Sequence, residues 1–202
     1  MTLPMNRRHF LSWALAASAV SYGCSSRDLE ALDEPYGVDM TDAGIGADFV
    51  LNGSDGKPHR LSDFKGKVVL IFFGFTQCPD VCPTALFRAV EIKKMLGEDG
   101  DRLQVLFITI DPERDTPELL RAYVAAFDPG FIGLYGDRDQ TARTARDFKV
   151  FYAKVPTGSS YTMDHSTITY VYDEAGHLRL GLRHAQTPEE CVADIRQLLQ
   201  RR

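Results

Sequence analysis

Residues 68–84 read VVLIFFGFTQCPDVCPT, an apolar run followed by two cysteines four residues apart. Its first part, residues 68–75, is an uninterrupted apolar run, which is typical of a central strand covered on both faces. Cys78 and Cys82 follow, and a helical apolar period runs from Pro83 to Glu98. The two cysteines therefore lie where a buried strand ends and a helix begins, which is where open α/β sheets place their functional groups.

The rest of the chain from residue 47 onward alternates strand and helix patterns. Further strands are predicted at 105–110 and 131–134, and further helices at 116–127, 140–148 and 187–200. Turn residues between apolar segments predict hairpins at 49–61 and 166–182. This order of elements predicts an α/β, thioredoxin-like fold with a central mixed sheet, an N-terminal hairpin and flanking helices.

The composition is that of a soluble globular domain. The chain has 202 residues, of which 44% are hydrophobic and 25% are charged, and its formal net charge is -5. This apolar content excludes a disordered or collagen-like chain. The acidic balance argues against a protein that coats nucleic acid, which would be basic. We expect one domain, monomeric and without a nucleic-acid partner, preceded by a leader.

Residues 1–24 have the layout of an export signal or membrane anchor. Arg7 and Arg8 precede an uncharged apolar run at 10–22, which is short for a membrane span. Arg7-Arg8-His9-Phe10-Leu11 resembles a bacterial twin-arginine signal, with the general secretory route as the alternative. Cys24 follows Gly23 and is a candidate lipidation site. The expected location is the bacterial periplasm, with a tether to the cytoplasmic membrane through the leader or a lipid.

Residues 25–46 are predicted to be an acidic flexible linker. They hold six acidic residues against the single Arg27, with one proline, three glycines and no sustained apolar period. Such a composition favours a solvated, extended tether. The predicted working domain is then 47–202.

The cysteine pair suits a metal ion or a redox-active disulfide. Cys78 and Cys82 are four residues apart, so a helical turn places both on one face. Pro79 and Pro83 discourage regular helix there, and a departure from helix would let the sulfurs bond to each other. Zinc would require more ligands, whereas two thiolates with one imidazole suit Cu(I) and also accommodate Cu(II). His165, placed just before the strand predicted at 166–172, is the candidate imidazole.

Four segments carry a family resemblance. The strings FGFTQCPDVCPT, LFITIDPERDTPE, GLYGDRDQT and DHSTITYVYDEAGH occur in this order. Together they resemble the Sco/SenC family of copper-binding, thioredoxin-like proteins over residues 47–202. The resemblance implies that Cys78, Cys82 and His165 bind one copper ion, Cu(I) or Cu(II). It also implies a role in assembling the dinuclear copper centre of cytochrome c oxidase, with that oxidase subunit or another copper chaperone as partner.

Several nearby residues have two interpretations. Asp164 either orients the imidazole of His165 or caps a strand. Asp80 either tunes the thiolates or contacts a partner, or it only forms the turn at the helix entry. The mixed-charge loop 111–116 either meets a partner or is simply solvated. Cys191 is predicted to pack inward from the last helix.

Three functions compete for the cysteine pair. The first is a copper metallochaperone, which is not an enzyme. The second is a thiol–disulfide oxidoreductase that keeps a partner's cysteines reduced. A copper metallochaperone could also have this activity. Copper or redox sensing would use the same residues. The third is a thiol peroxidase. Pro79 opposes it, because it stands where peroxidases of this kind have Thr or Ser.

Overall fold

A computed structural model describes residue 29 and residues 31–46 and 48–200. Chain contacts separate a unit of residues 1–30 from a unit of residues 31–202, and the fold below is that of the second unit. The predicted export signal and the candidate lipidation site at Cys24 lie outside the described residues.

A mixed sheet of eight strands forms the centre of the domain. Its order is β1-β10-β9-β4-β5-β6-β2-β3, in which β4, β5 and β6 run parallel and the other pairs are antiparallel. The strands are β1 (Val38–Asp39), β2 (Val50–Gly53), β3 (Pro58–Arg60), β4 (Val68–Gly74), β5 (Leu103–Thr109), β6 (Ile132–Tyr135), β9 (Thr169–Tyr172) and β10 (Leu178–Leu182). The predicted mixed sheet and its N-terminal hairpin, β2–β3, are confirmed.

The helices of the described region are α1 (Val81–Leu96), α2 (Pro117–Ala125), α3 (Arg138–Asp147) and α4 (Pro188–Gln200), with short 3₁₀ helices at Leu61–Phe64 and Gly97–Arg102. Every residue of β4 and β5 is buried, as expected for strands covered on both faces. Helices α1 and α4 pack on each other, and Cys191 of α4 is fully buried, as predicted. Within the described residues, no helix has the length and apolar character needed to cross a membrane.

The structure differs from the predicted linker over residues 31–46. Strand β1 pairs with β10 and so extends the sheet. The buried carboxylate of Asp194 on α4 accepts the N–H groups of Tyr36 at 2.9 Å and Gly37 at 2.8 Å, and Leu32 is buried. Here the tether interpretation is wrong. The acidic side chains that suggested it are mostly exposed, while backbone groups and one leucine make the contacts.

A second sheet was not predicted. Strands β7 (Tyr152–Thr157) and β8 (Ser160–His165) form a separate hairpin in which Tyr152 faces His165. The predicted loop before the strand at 166–172 is therefore partly strand, and the next strand, β9, begins only at Thr169. The hairpin escaped prediction because most of its side chains are at least partly exposed, so its sequence lacks the alternation of a half-buried strand.

Candidate metal centre

The two cysteines lie on either side of the start of α1. Strand β4 ends at Gly74 and α1 begins at Val81, so Cys78 lies in the connecting loop and Cys82 in the first helical turn. The Cys82 N–H donates to Cys78 Sγ at 3.4 Å. Cys78 is half-buried and Cys82 is fully buried, and both are free thiols. The pair therefore offers one accessible sulfur and one sulfur inside the protein.

The third predicted ligand reaches the same place from the β7–β8 hairpin. His165 is the last residue of β8, and its Nε2 lies 3.5 Å from Cys82 Sγ. Its Nδ1 lies 2.8 Å from the Ser166 carbonyl oxygen and donates to it, so Nε2 is the ring nitrogen that faces the sulfur. The rings of Phe72 and Phe75 stand edge-on to the imidazole, with ring centres 6.0 and 5.9 Å from its centre. These two contacts hold the orientation of the imidazole.

The structure thus brings together the three residues predicted as ligands. The donor atoms of Cys78, Cys82 and His165 all lie within 4.8 Å of one another. In the part of the chain that the structure describes, no other group of three Cys, His, Asp or Glu side chains is arranged to hold a metal ion. Two sulfurs and an imidazole nitrogen form a donor set suited to soft, low-coordinate metal ions.

The pKa values of the two thiols are shifted in opposite directions. The Cys82 thiol donates toward Cys78 and, together with His165 and the backbone N–H groups of Asp80 and Cys82, lowers the pKa of Cys78 to about 4 despite its partial burial. The same hydrogen bond, together with burial, raises the pKa of Cys82. At neutral pH the pair is therefore a Cys78 thiolate beside a protonated Cys82.

Gly74 leaves room for the inner sulfur. A Cβ at this position would lie 2.8 Å from Cys82 Sγ and 2.9 Å from Phe107 Cε2, closer than real Cβ contacts allow. The absence of a side chain at the end of β4 is what lets Cys82 pack against the sheet.

Two buried carboxylates after β5 support the cysteine loop. Asp115 accepts the Thr76 N–H at 3.1 Å, the Thr76 hydroxyl at 2.6 Å and the Thr109 hydroxyl at 2.5 Å. Burial raises the pKa of Asp115, and these hydrogen bonds partly offset the effect. The second carboxylate, Asp111, accepts Arg114 Nε at 2.5 Å and the Tyr161 hydroxyl at 2.8 Å.

Arg114 links the segments that carry the site, a role that sequence reasoning missed. Its guanidinium donates to Gln77 Oε1 at 3.2 Å in the cysteine loop and to the Tyr161 carbonyl oxygen at 2.6 Å in the β8 strand. It also lies over the Tyr161 ring at 3.7 Å. In the sequence, Arg114 is visible only as part of the charged loop 111–116. The structure shows that side chains of this loop point inward, toward the site.

Of the two interpretations of Asp164, orientation of the His165 imidazole does not fit the structure. Asp164 is exposed, and neighbouring strand residues point to opposite faces, so its side chain lies away from that of His165. The Ser166 carbonyl holds the imidazole instead. Asp80 caps α1 without a side-chain hydrogen bond, while its carbonyl oxygen accepts the Thr84 N–H and hydroxyl. Its turn-forming interpretation therefore fits the structure, and its contribution to Cys78 comes from the backbone.

Fold and site together define a class: thioredoxin-like proteins with a Cys-Cys-His metal-ligand group at the end of a central strand. A sequence model of the SCO1/SenC family matches residues 39–200, and the chain belongs to this family. The resemblance seen in the four sequence segments is confirmed.

Known proteins of the same kind cover most of the chain. An SCO2-like protein of Rickettsia felis is 44% identical over 151 residues, which are 73% of this chain and 74% of its own. The copper-bound structure of Bradyrhizobium japonicum ScoI matches with a TM-score of 0.71 and 42% identity, over 76% of this chain and 99% of that one. The solution structure of apo Sco1 from Thermus thermophilus matches with a TM-score of 0.73 and 40% identity, over 84% of this chain and 99% of that one.

Proposed function

We propose that this protein is a copper metallochaperone that binds one copper ion through Cys78, Cys82 and His165. The observation that carries the proposal is the convergence of two sulfurs and one imidazole nitrogen within 4.8 Å. Two thiolates and an imidazole satisfy soft Cu(I) at low coordination number and also accommodate Cu(II). The copper-bound relative supports the choice of metal.

The arrangement of the two sulfurs suggests an order of capture. Cys78 is a thiolate at neutral pH and half-exposed, so it is the first ligand that an arriving ion meets. Cys82 is buried and protonated, and it must release its proton because only the thiolate binds the metal. His165 turns Nε2 toward the sulfurs while Nδ1 faces the Ser166 carbonyl oxygen, so Nε2 is the nitrogen that would bind the metal.

We propose that the copper goes to the dinuclear copper centre of cytochrome c oxidase, directly or through another copper chaperone. Family membership supports this assignment. Transfer would be a ligand exchange, in which donor atoms of the acceptor replace Cys78, Cys82 and His165 and no electron changes hands.

We further propose a periplasmic location with a tether at the N-terminus. The support is the pattern of Arg7 and Arg8 before an apolar run, followed by Cys24. Fractionation of cells that produce the wild type and Cys24→Ala tests the lipid. Both proteins should be outside the cytoplasm, and the variant should move from the membrane to the soluble fraction if a lipid at Cys24 is the tether.

A second function uses the same thiols. The low pKa and partial exposure of Cys78 favour attack on a disulfide of the partner. In this reaction Cys78 and Cys82 are oxidised to a disulfide, and the partner's disulfide gains two electrons and two protons to become two thiols. A protein that does this would keep the acceptor's copper-ligand cysteines reduced, and a redox sensor would use the same change.

Copper titration of the reduced protein tests the main proposal. The wild type should bind one Cu(I) at this site, His165→Ala should bind it more weakly, and Cys78→Ser/Cys82→Ser should lose the site. The matched control is Cys191→Ser, which removes a buried thiol outside the site. Undiminished copper binding by the double variant would overturn the proposal.

A further inference from the structure

A cleft of about 400 Å³ is lined in part by Ser166, the residue that follows His165. Its floor is apolar and includes Phe148, Ile168 and Tyr170, and its other walls include Ser166, Lys149 and Arg183. We call this the histidine-side cleft. Neither the capture of copper nor the redox chemistry of the two thiols uses it.

The histidine-side cleft is directly connected to the residue that orients His165. The Ser166 carbonyl holds His165 Nδ1 at 2.8 Å, and the Ser166 hydroxyl accepts the Phe151 N–H at 3.0 Å. Phe151 is a large apolar side chain that is 60% exposed. Exposed aromatic side chains next to an apolar recess are typical of protein–protein contacts.

The charged side chains that line the cleft are the two cations Lys149 and Arg183. Lys149 and Arg183 are exposed, and in the described part of the chain neither forms an ion pair with a carboxylate. No acidic residue lines the cleft, although the whole chain carries a net charge of -5. His184 also lines the cleft, and its buried Nδ1 has no hydrogen-bond partner.

Lys149 holds an unusual backbone conformation at the edge of the cleft. Its φ is 56°, in the left-handed region that non-glycine residues rarely adopt. The conformation belongs to the Schellman motif that ends α3, in which the Lys149 N–H donates to the Arg146 carbonyl oxygen at 3.0 Å and the Val150 N–H to the Ala145 carbonyl oxygen at 2.8 Å. Here the conformation places a cation in a turn between the end of α3 and Phe151.

We infer that the histidine-side cleft is the docking site for the oxidase subunit that carries the dinuclear copper centre, through an acidic surface of that subunit. An apolar side chain of the acceptor packs on the cleft floor and Phe151, while its carboxylates pair with Lys149 and Arg183. The inference rests on the proposed function, because it names the surface that brings the acceptor to His165. Complementary charge of this kind acts mainly on the rate of association.

Association kinetics test the inference. The probe is the metal-free soluble domain of the oxidase subunit that carries the dinuclear copper centre, mixed with the copper-loaded protein at several salt concentrations. Lys149→Glu/Arg183→Glu should slow association about tenfold and flatten its salt dependence. Lys149→Asn removes one charge with a residue that tolerates this backbone, and it should slow association about threefold.

The control is Lys67→Glu/Lys94→Glu, which changes the net charge by the same amount. Lys67 precedes β4 and Lys94 lies near the end of α1, so both are at the ends of these elements opposite to the cysteine loop. This variant should associate at nearly the wild-type rate, and all variants should bind copper like the wild type.

The outcomes separate the inference from the proposed function. Normal copper binding with equal association rates for the wild type and Lys149→Glu/Arg183→Glu overturns the docking site alone. A wild type that fails to bind the oxidase domain at any salt concentration also overturns it. Loss of the proposed function would instead appear as copper binding that survives without Cys78 and Cys82.

Discussion

The guanidinium of Arg114 lies 3.7 Å from the centre of the Tyr161 ring and donates to the carbonyl oxygen of the same residue at 2.6 Å. Asp111 closes the arrangement, since it accepts from both Arg114 and the Tyr161 hydroxyl. Tyr161 lies on the strand that ends at His165. Because Arg114 also contacts Gln77, it joins the imidazole-bearing hairpin to the cysteine loop.

Arg114→Gln should therefore weaken both folding and copper binding. Asp111 is 1% exposed and would be left as an unpaired buried charge, so we expect a loss of about 3 kcal/mol in the free energy of unfolding. Adding Asp111→Asn removes that charge and should restore part of the stability. Copper affinity should stay reduced in the double variant, because the hairpin is still not held. Urea unfolding and competitive copper titration measure the two effects, and a double variant with wild-type affinity would contradict the positioning role.

Cys78 should react with iodoacetamide in acidic solution. Its pKa of about 4 makes it a thiolate at pH 6, where an ordinary cysteine of pKa about 8.5 is less than about 1% ionised. Its rate should be flat between about pH 5.5 and 8 and fall as the pH drops through about 4. Peptide mass spectrometry resolves each cysteine, and buried Cys191 in the native protein is the unreactive control. A Cys78 rate that rises tenfold per pH unit from pH 6 to 8 would be incompatible with the lowered pKa.

Asp194→Ala should release the segment at residues 31–46. The change leaves the N–H groups of Tyr36 and Gly37 without their acceptor, and we expect a loss of about 2 kcal/mol in the free energy of unfolding. Limited proteolysis should then cut within this segment much faster than in the wild type. Asp42→Ala changes an exposed carboxylate of the same segment and should have little effect. Equal cleavage of the wild type and Asp194→Ala would mean that the segment is not held in this way.

Gly74→Ala should disturb the inner sulfur. The new Cβ would lie 2.8 Å from Cys82 Sγ and 2.9 Å from Cε2 of the fully buried Phe107, so both side chains would have to shift. We expect a loss of about 2 kcal/mol in stability and weaker copper binding. Gly130→Ala is the control, since its nearest neighbour would be the Asp128 side chain at 3.1 Å, away from the site. Normal copper affinity in Gly74→Ala would show that Cys82 has more room than its packing indicates.

The buried strand and the cysteine motif could be predicted because their signals are local. An apolar run is uninterrupted where both faces of a strand are covered, and β4 (Val68–Gly74) coincides with the apolar run at 68–75. His165 was identified from the family resemblance, but its strand was not, because the exposed β7–β8 hairpin has no apolar alternation. Arg114 could not be assigned, since its partners Gln77 and Tyr161 are 37 and 47 residues away along the chain.

X-ray absorption at the copper edge identifies the atoms that bind the ion. The wild type loaded with one equivalent of Cu(I) should show two sulfur ligands and one imidazole nitrogen, from Cys78, Cys82 and His165. His165→Ala should lose the imidazole signal and keep both sulfurs. A wild-type spectrum fitted by nitrogen and oxygen ligands alone, without sulfur, would contradict copper binding by Cys78 and Cys82.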